Sequence, residues 1–399
     1  MRIALIADTF PPFRTSGALQ LRDLSSEFVK QGHALTVILP TAGLNVPWLL
    51  EDFDGVRVLR LGAPKTKDMN YIYRTISEMV MPYFMLYNLR KSPFEQELWD
   101  GIVWYSPSIF FGFFVKALKK SSNCKAYLII RDIFPEWAAD IGIIGRGFAY
   151  RFFKSVANYQ YSVADIIGIQ SQGNYIYFSH LKNCQIEVLQ NWLTDAPNVK
   201  SSISIDTTKL AGRTIFIYAG NLGVAQGMDV LIDLVELLDS RADIGFIFVG
   251  RGSEAQRLHA DVESRSLSNV LFFDEIDPTE IPGLYKQCHV GIVALDARHK
   301  THNIPGKFLS YMQAGLPVLA SINPGNDLEE IILTEKVGRV CVDQSANTLY
   351  QLAIELVDDV VKIETKNKAV SSSCKTLFSR LFSPKVAVRQ IVSALAFKD

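Results

Sequence analysis

The chain has 399 residues, 48% hydrophobic and 21% charged, with 41 basic side chains against 41 acidic ones. This length exceeds what one hydrophobic core usually supports, so two domains of similar size are expected. The composition is that of an ordinary globular protein, and its balanced charge excludes a global field directed at nucleic acid or an acidic polymer.

Residues 3–7 form a short apolar run before Asp8, which reads as a first buried strand and is too short for the apolar region of a signal peptide. A helical pattern over 19–31 and a strand over 34–39 follow, and 56–61, 102–104, 126–130 and 166–169 continue the first sheet. Asp52-Phe53-Asp54 has the form of a metal-binding Asp-x-Asp, but Asp54-Gly55 directly before a strand is more simply a turn. Residues 71–90 combine Ile72, Ile76, Met79 and Phe84 with Arg74 and Arg90, and 148–157 repeat the mixture. Such faces suit an interfacial helix on anionic lipid, or a core helix. Residues 101–115 are the most apolar stretch, yet Ser106, Pro107 and Ser108 interrupt it, so no membrane span is expected. Asp132 and Glu136 follow a strand, where they would face a ligand cleft, or Asp132 would cap the next helix. The five cysteines (Cys124, Cys184, Cys288, Cys341 and Cys374) are widely spaced and odd in number, the pattern of free thiols in a reducing compartment.

The pattern breaks over 191–213 and then restarts, with strands at 215–219, 245–249, 270–273, 290–294, 318–320 and 338–342. Alternating strands and helices in both halves imply two doubly wound parallel sheets with a cleft at their carboxyl ends. A last helix over 378–396 is expected to dock back on the first domain. The domain limits are 1–195, 196–375 and a returning segment 376–399.

Two segments of the second half carry chemistry. Gly220-Asn221-Leu222-Gly223-Val224-Ala225-Gln226-Gly227 lies between a strand and a helix; it is a diphosphate cradle of backbone amides or only a tight turn. Its spacing is neither the dinucleotide nor the P-loop pattern. Arg298-His299-Lys300-Thr301-His302-Asn303-Ile304-Pro305-Gly306-Lys307 sets five potentially cationic side chains before a helix, where they oppose the macrodipole unless an anion neutralises them. The bland reading is a solvated basic loop. His299 and His302 lack a nearby third ligand for a metal.

Together with Phe248-Val249-Gly250-Arg251-Gly252, Tyr311-Met312 and Ala314-Gly315-Leu316-Pro317-Val318, these segments resemble the GT-B glycosyltransferases of family four. Pro11-Pro12, Ser16-Gly17 and Gly32-His33 are similar to that family's opening. Tyr105-Ser106-Pro107-Ser108, Arg131-Asp132-Ile133-Phe134-Pro135-Glu136-Trp137, His302-Asn303-Ile304-Pro305-Gly306-Lys307 and Gly325-Asn326-Asp327-Leu328 further resemble the L-N-acetylfucosamine transferases of O-antigen and capsule synthesis. The resemblance implies two Rossmann-like domains, an acceptor-binding N-terminal one and a donor-binding C-terminal one. It implies transfer, with retention, of an N-acetylated deoxyhexosamine such as N-acetyl-L-fucosamine from a UDP-sugar to an undecaprenyl-diphosphate-linked saccharide.

On that likeness Lys307, His302 and Asp132 are the catalytic candidates. The donor would be held by Gly17, Gly220, Asn221, Gly223, Gln226, Gly250, Gly252, Arg298, Asn303, Gly306 and Ser310. Neither metal nor cofactor is implied, and the enzyme would work in the cytoplasm, peripheral on the anionic membrane. Departures are specific: Asn221 and Gln226 stand where the family has Arg and Lys, and His302 and Ser310 where it has two glutamates. A catalytically inactive sugar-nucleotide binder and an inverting GT-B enzyme such as an epimerase are the alternatives.

Overall fold

The computed structural model describes residues 1–13, 15–140, 142–196, 198–296, 303–358 and 362–396. The chain divides into two compact units: Met1–Trp192 with the segment from Pro384 onward, and Leu193–Ser383.

Unit 1 contains β1 (Arg2–Ile6), α1 (Ser16–Lys30), β2 (Ala34–Thr41), β3 (Trp48–Phe53), β4 (Val56–Gly62), α2 (Tyr71–Leu89), β5 (Gly101–Tyr105), α3 (Gly112–Ser122), β6 (Lys125–Ile129), α4 (Glu136–Asp140), α5 (Phe148–Val163), β7 (Ile166–Ile169) and β8 (Gln185–Val188). Its sheet runs β3-β4-β2-β1-β5-β6-β7-β8. The central strands are apolar at nearly every position because helices cover both faces, which is why they read as continuous runs rather than alternations. α1 starts where Thr15 Oγ1 accepts a hydrogen bond from the Ala18 amide (3.2 Å), then buries Leu21, Leu24 and Phe28 against the sheet.

β3 was not legible as a strand. It pairs antiparallel with β4 through a turn in which Asp54 and Gly55 both have positive φ and Asp52 Oδ1 accepts from the Gly55 amide at 2.9 Å. Asp52 and Asp54 are therefore turn residues. Strand β8, at the other edge, is half-buried and also escaped the pattern.

Unit 2 contains β9 (Thr214–Ala219), α6 (Asp229–Leu237), β10 (Ile244–Val249), α7 (Ala255–Ser264), β11 (Val270–Phe273), α8 (Ile281–Tyr285), β12 (Val290–Ala294), α9 (Gly306–Ala314), β13 (Val318–Ser321), α10 (Asp327–Glu335), β14 (Gly338–Cys341), α11 (Ala346–Leu356) and α12 (Glu364–Leu381). The described strands are all parallel, in the order β11-β10-β9-β12-β13-β14. Two apolar layers flank them, one with Leu231, Leu234, Val235 and Leu349, the other with Phe308, Met312, Leu377 and Phe378.

The expected single helix over 378–396 is two. Leu377 and Phe378 of α12 bury in unit 2, whereas α13 (Pro384–Ala396) places Ala387, Val388, Ile391 and Leu395 in the same apolar layer as Leu21, Leu24 and Phe28 of unit 1. Pro384 opens α13, because a proline lacks the amide needed inside a helix but is tolerated in its first turn. The units thus part at Trp192 and Ser383 rather than at the expected 195 and 375. All five cysteines are free.

Candidate active site

Both sheets change winding direction at their first strand. In unit 2 β9 lies between β10 and β12; in unit 1 β1 lies between β2 and β5. Segments leaving the carboxyl ends of such strand pairs diverge to opposite faces and leave a crevice, the place where open α/β sheets take ligands.

In unit 2 the crevice begins at Gly220, which follows β9 with φ +145°. Gly250, after the neighbouring β10, has φ +149°, and a Cβ there would lie 1.9 Å from the Gly220 carbonyl oxygen. Only glycine allows the two strand exits to touch. The Gly220 amide donates to Val249 O and the Leu222 amide to Arg251 O, both at 2.9 Å, while Gln226 and Gly227 donate to Gly223 and Val224. Those four amides are engaged inside the unit, which leaves the amides of Asn221, Gly223 and Val224 without a backbone partner among the described residues.

Lys307, the second residue of α9, lies beneath this loop. Its Nζ is 3.5 Å from the centroid of the Tyr218 ring, and a Cβ on Gly220 would lie 3.8 Å from it. The Nζ is enclosed and has no hydrogen-bond partner among the described residues. Burial alone pushes its pKa down to about 7. An enclosed amine without a hydrogen-bond partner is costly to charge, and an anion beside it offsets that cost. Tyr218 also orders the loop: its hydroxyl donates to the Asn221 carbonyl (2.7 Å) and lies 3.3 Å from Oε1 of Gln226.

Beside Gly220 and Asn221 a cavity of about 420 Å³ is lined further by Gly250, Arg251, Glu275, Ile276, Pro278, Ile281 and Tyr285. The Arg251–Glu275 ion pair (2.9 Å) stands at its rim, with the arginine side chain 83% exposed. Tyr218, Glu275, Ile276 and Tyr285 were absent from the sequence-derived site. No local pattern sets Tyr218 or Tyr285 apart from a core aromatic, and the loop after β11 has no glycine, while its acidic residues Asp274, Glu275, Asp277 and Glu280 do not mark an anion site.

The other expected residues divide clearly. Gly220, Asn221, Gly223, Gln226, Gly250, Gly252, Gly306, Lys307 and Ser310 all belong to the loops and the helix start at this edge of unit 2. A Cβ on Gly306 would meet nothing within 4 Å, so the fold does not demand glycine there. Ser310 Oγ donates to the Gly306 carbonyl at 3.4 Å. Asn303 is half-buried and already engaged within the structure. Arg298 and His302 lie outside the described residues. Gly17 and Asp132 are in unit 1 and share no local framework with the Gly220 loop.

Gly17 and Asp132 belong to a second edge, at the carboxyl ends of β1, β5 and β6. Gly17 sits in the first turn of α1, where a Cβ would lie 3.4 Å from Thr9 and 3.6 Å from Tyr105. Tyr105 donates to Oε1 of Gln20 at 3.2 Å, and burial holds its hydroxyl well above the usual phenol range, with Arg131, Asp132 and Asp8 all acting on it. Asp132 is four residues ahead of α4, too far to cap it. Its pKa is raised by partial desolvation, against the opposing pull of Arg131. Glu136 instead pairs with Lys154.

The helix α2 does not behave as a core helix. It buries Met81, Pro82, Met85 and Leu89 but leaves Tyr71, Ile72, Tyr73, Ile76, Tyr83 and Phe84 exposed in unit 1. Phe148, at the start of α5, is exposed as well. Among the described residues no helix is long and apolar enough to cross a membrane, and no three His, Cys, Asp or Glu side chains group as metal ligands.

Two Rossmann-like parallel-sheet units, with a crevice at each winding reversal, have the architecture of the GT-B glycosyltransferases. Over 98% of its length the chain is similar to sucrose-phosphate synthase from Thermosynechococcus elongatus (TM-score 0.69, 14% identity, 98% of that chain). Over 99% it is similar to HepE of Anabaena, solved with UDP-glucose (TM-score 0.66, 14% identity, 100% of that chain). Residues 213–359, which hold the Gly220 loop and Lys307, match the family described as "Glycosyl transferases group 1". The chain is 23% identical over 255 residues to "Probable glycosyltransferase WbjE" of Pseudomonas aeruginosa, covering 60% of this chain and 62% of the relative. It spans about three-fifths of the length of the curated relatives it matches.

Proposed function

We propose that the protein is a glycosyltransferase of bacterial surface-polysaccharide synthesis that takes its sugar from a UDP donor held at the carboxyl edge of unit 2. The enclosed Lys307 amine beneath the glycine loop, which has no hydrogen-bond partner among the described residues, carries this reading. Its chemistry suits a diphosphate. The amides of Asn221, Gly223 and Val224 and the Lys307 ammonium stabilise the charge that develops on the leaving diphosphate. The 420 Å³ cavity next to the loop takes the nucleoside.

Following the narrower resemblance, the sugar is N-acetyl-L-fucosamine and it is transferred with retention. The acceptor is an undecaprenyl-diphosphate-linked saccharide, in O-antigen or capsule assembly. Lys307 replaces the charge that Asn221 and Gln226 do not supply, and no divalent ion is used. The exposed Tyr71, Ile72, Tyr73 and Ile76 face of α2, flanked by Arg74, docks on anionic lipid at the cytoplasmic side of the membrane, where such an acceptor resides.

Titration calorimetry with UDP on the intact protein and on Lys307→Met tests the donor site. Wild type should bind UDP, and the variant should lose at least about a hundredfold in affinity while keeping its fold. Equal binding by both would remove Lys307 from the site. Binding of UDP-sugars without any transfer would favour the inactive binder that the neutral Asn221, Gln226 and Ser310 suggest.

A further inference from the structure

The winding reversal of unit 1 holds a half-buried ionisable group, one of its oxygens enclosed, that the donor reading does not use. Asp8 leaves the carboxyl end of β1, and Tyr105 ends β5, the strand paired with β1 across the reversal; in register Ile6 lies beside Trp104. Oδ1 of Asp8 is enclosed and has no hydrogen-bond partner among the described residues. Lys67 approaches Asp8, but its ammonium donates to the Asp8 backbone carbonyl at 3.3 Å. Arg74, on α2, is held by Glu78 at 2.9 Å. Burial raises the pKa of Asp8 despite both cations, and Glu78 is raised as well, by its own burial first and by Asp8 in part. The groups acting on Asp8 are thus Lys67, its own backbone amide through a hydrogen bond to the carboxylate, and Arg74, while Glu78 and Tyr105 in turn feel its charge.

An ionised carboxylate is an acceptor only, so the partner missing from Oδ1 is a hydrogen-bond donor. Inorganic phosphate or a diphosphate at neutral pH offers little of that kind. A saccharide offers hydroxyl donors in number. We propose that Asp8 is the anchoring carboxylate of the saccharide acceptor, binding acceptor hydroxyls in the unit 1 crevice bounded by Thr9, Gly17 and Tyr105. This rests on the glycosyltransferase reading and names the residue that holds its second substrate. The enclosed carboxylate costs stability in the free chain and is retained for its ligand, a trade common at binding sites.

Asp8→Asn in the full chain is the test, because the amide keeps the shape and removes the buried charge. The probes are UDP-N-acetyl-L-fucosamine as donor and N-acetylglucosamine linked through a diphosphate to a short prenyl chain as acceptor. The variant should melt at the wild-type temperature or above it, and bind UDP within about twofold of wild type. Its acceptor KM should rise about 10–100-fold, the loss expected for one hydrogen bond to a charged group, with a smaller change in kcat. Wild-type KM should also rise on acidification as Asp8 is protonated, a dependence that the variant lacks. An unchanged acceptor KM would mean that only solvent meets Oδ1 and would overturn the proposal. A drop of several degrees in melting temperature would also overturn it, because Asp8 would then be a structural carboxylate. The melting measurement needs no substrate, so it judges Asp8 even if wild type binds no UDP, an outcome that would remove the donor reading instead.

Discussion

The carboxyl edges of the two sheets are built alike but enclose groups of opposite kind, an amine in one and a carboxyl in the other. Each lies at the winding reversal beside the first strand of its unit, and each holds an ionisable group with an enclosed atom that has no hydrogen-bond partner among the described residues. In unit 2 that group is the Lys307 amine, under a glycine loop whose remaining amides point to an anion. In unit 1 it is the Asp8 carboxyl, among Glu78 and Asp132, whose pKa values are also raised. The same topology therefore presents a donor-rich crevice in one unit and an acceptor-rich one in the other. Sheet topology locates a crevice, and the enclosed group sets its local chemistry.

The largest effect that can break this contrast belongs to Lys307. Lys307→Met should lower kcat/KM by about 10²–10³-fold while raising the melting temperature of the free chain, since it replaces a desolvated amine by an apolar side chain of similar length. Loss of activity together with loss of stability, measured by differential scanning calorimetry, would make Lys307 structural and end the comparison.

Titration sharpens the same point. The folded chain holds Lys307 at about 7, against an ordinary value of 10.5. The unfolded chain therefore carries more protons between those values, and this lysine makes the free protein more stable as pH rises from about 7 to about 10. Lys307→Met should abolish that slope in urea-unfolding series. A bound diphosphate favours the ammonium, so UDP affinity should be greatest below about pH 7 and weaken above it by up to about tenfold per pH unit. Calorimetry in buffers of different ionisation enthalpy should show proton uptake on UDP binding at pH 8; none would mean that the diphosphate does not reach Lys307.

Glycines separate fold from ligand at the unit 2 edge. Gly250→Ala should destabilise the protein by several kcal/mol, since its Cβ would collide with the Gly220 carbonyl at a left-handed backbone position. Gly306→Ala should leave the melting temperature within about a degree, because its Cβ has open space, yet weaken UDP binding if the diphosphate packs on that Cα. Unchanged UDP affinity would place the ligand elsewhere on α9.

Two smaller effects belong to the surface. Arg251→Ala should change kcat/KM by about threefold or less, because its ion pair with Glu275 is exposed. Ile72→Asp with Ile76→Asp should reduce flotation with anionic vesicles while leaving UDP affinity and melting temperature unchanged. Undiminished flotation would remove α2 from the membrane contact.

Much of this was legible in the residues themselves. The apolar runs at β1, β2, β9, β10 and β12 stand out because both faces of each sheet are covered, so every position is apolar. Gly220, Gly250 and Lys307 could be found because a glycine loop and a basic helix start are local patterns. The edge strand β3 could not, since its half-exposed residues follow no regular period. Nor could the break between α12 and α13, because both are amphipathic and only packing assigns Phe378 to unit 2 and Val388 to unit 1.

Sequence by itself determined the two-sheet class and marked the glycine loop after β9, since strand period, glycine placement and helix polarity are properties of neighbouring residues. Tertiary structure alone decided which charges go unpaired. The isolation of Lys307 against Tyr218 depends on the exit of β9 meeting the start of α9, some ninety residues later in the chain, as the Tyr311 hydroxyl shows by donating to the Ile217 carbonyl at 3.0 Å. That of Asp8 depends on Lys67 turning to a backbone oxygen and on Glu78 engaging Arg74. Desolvation is a sum over everything packed around an atom, and no stretch of neighbouring residues contains that sum.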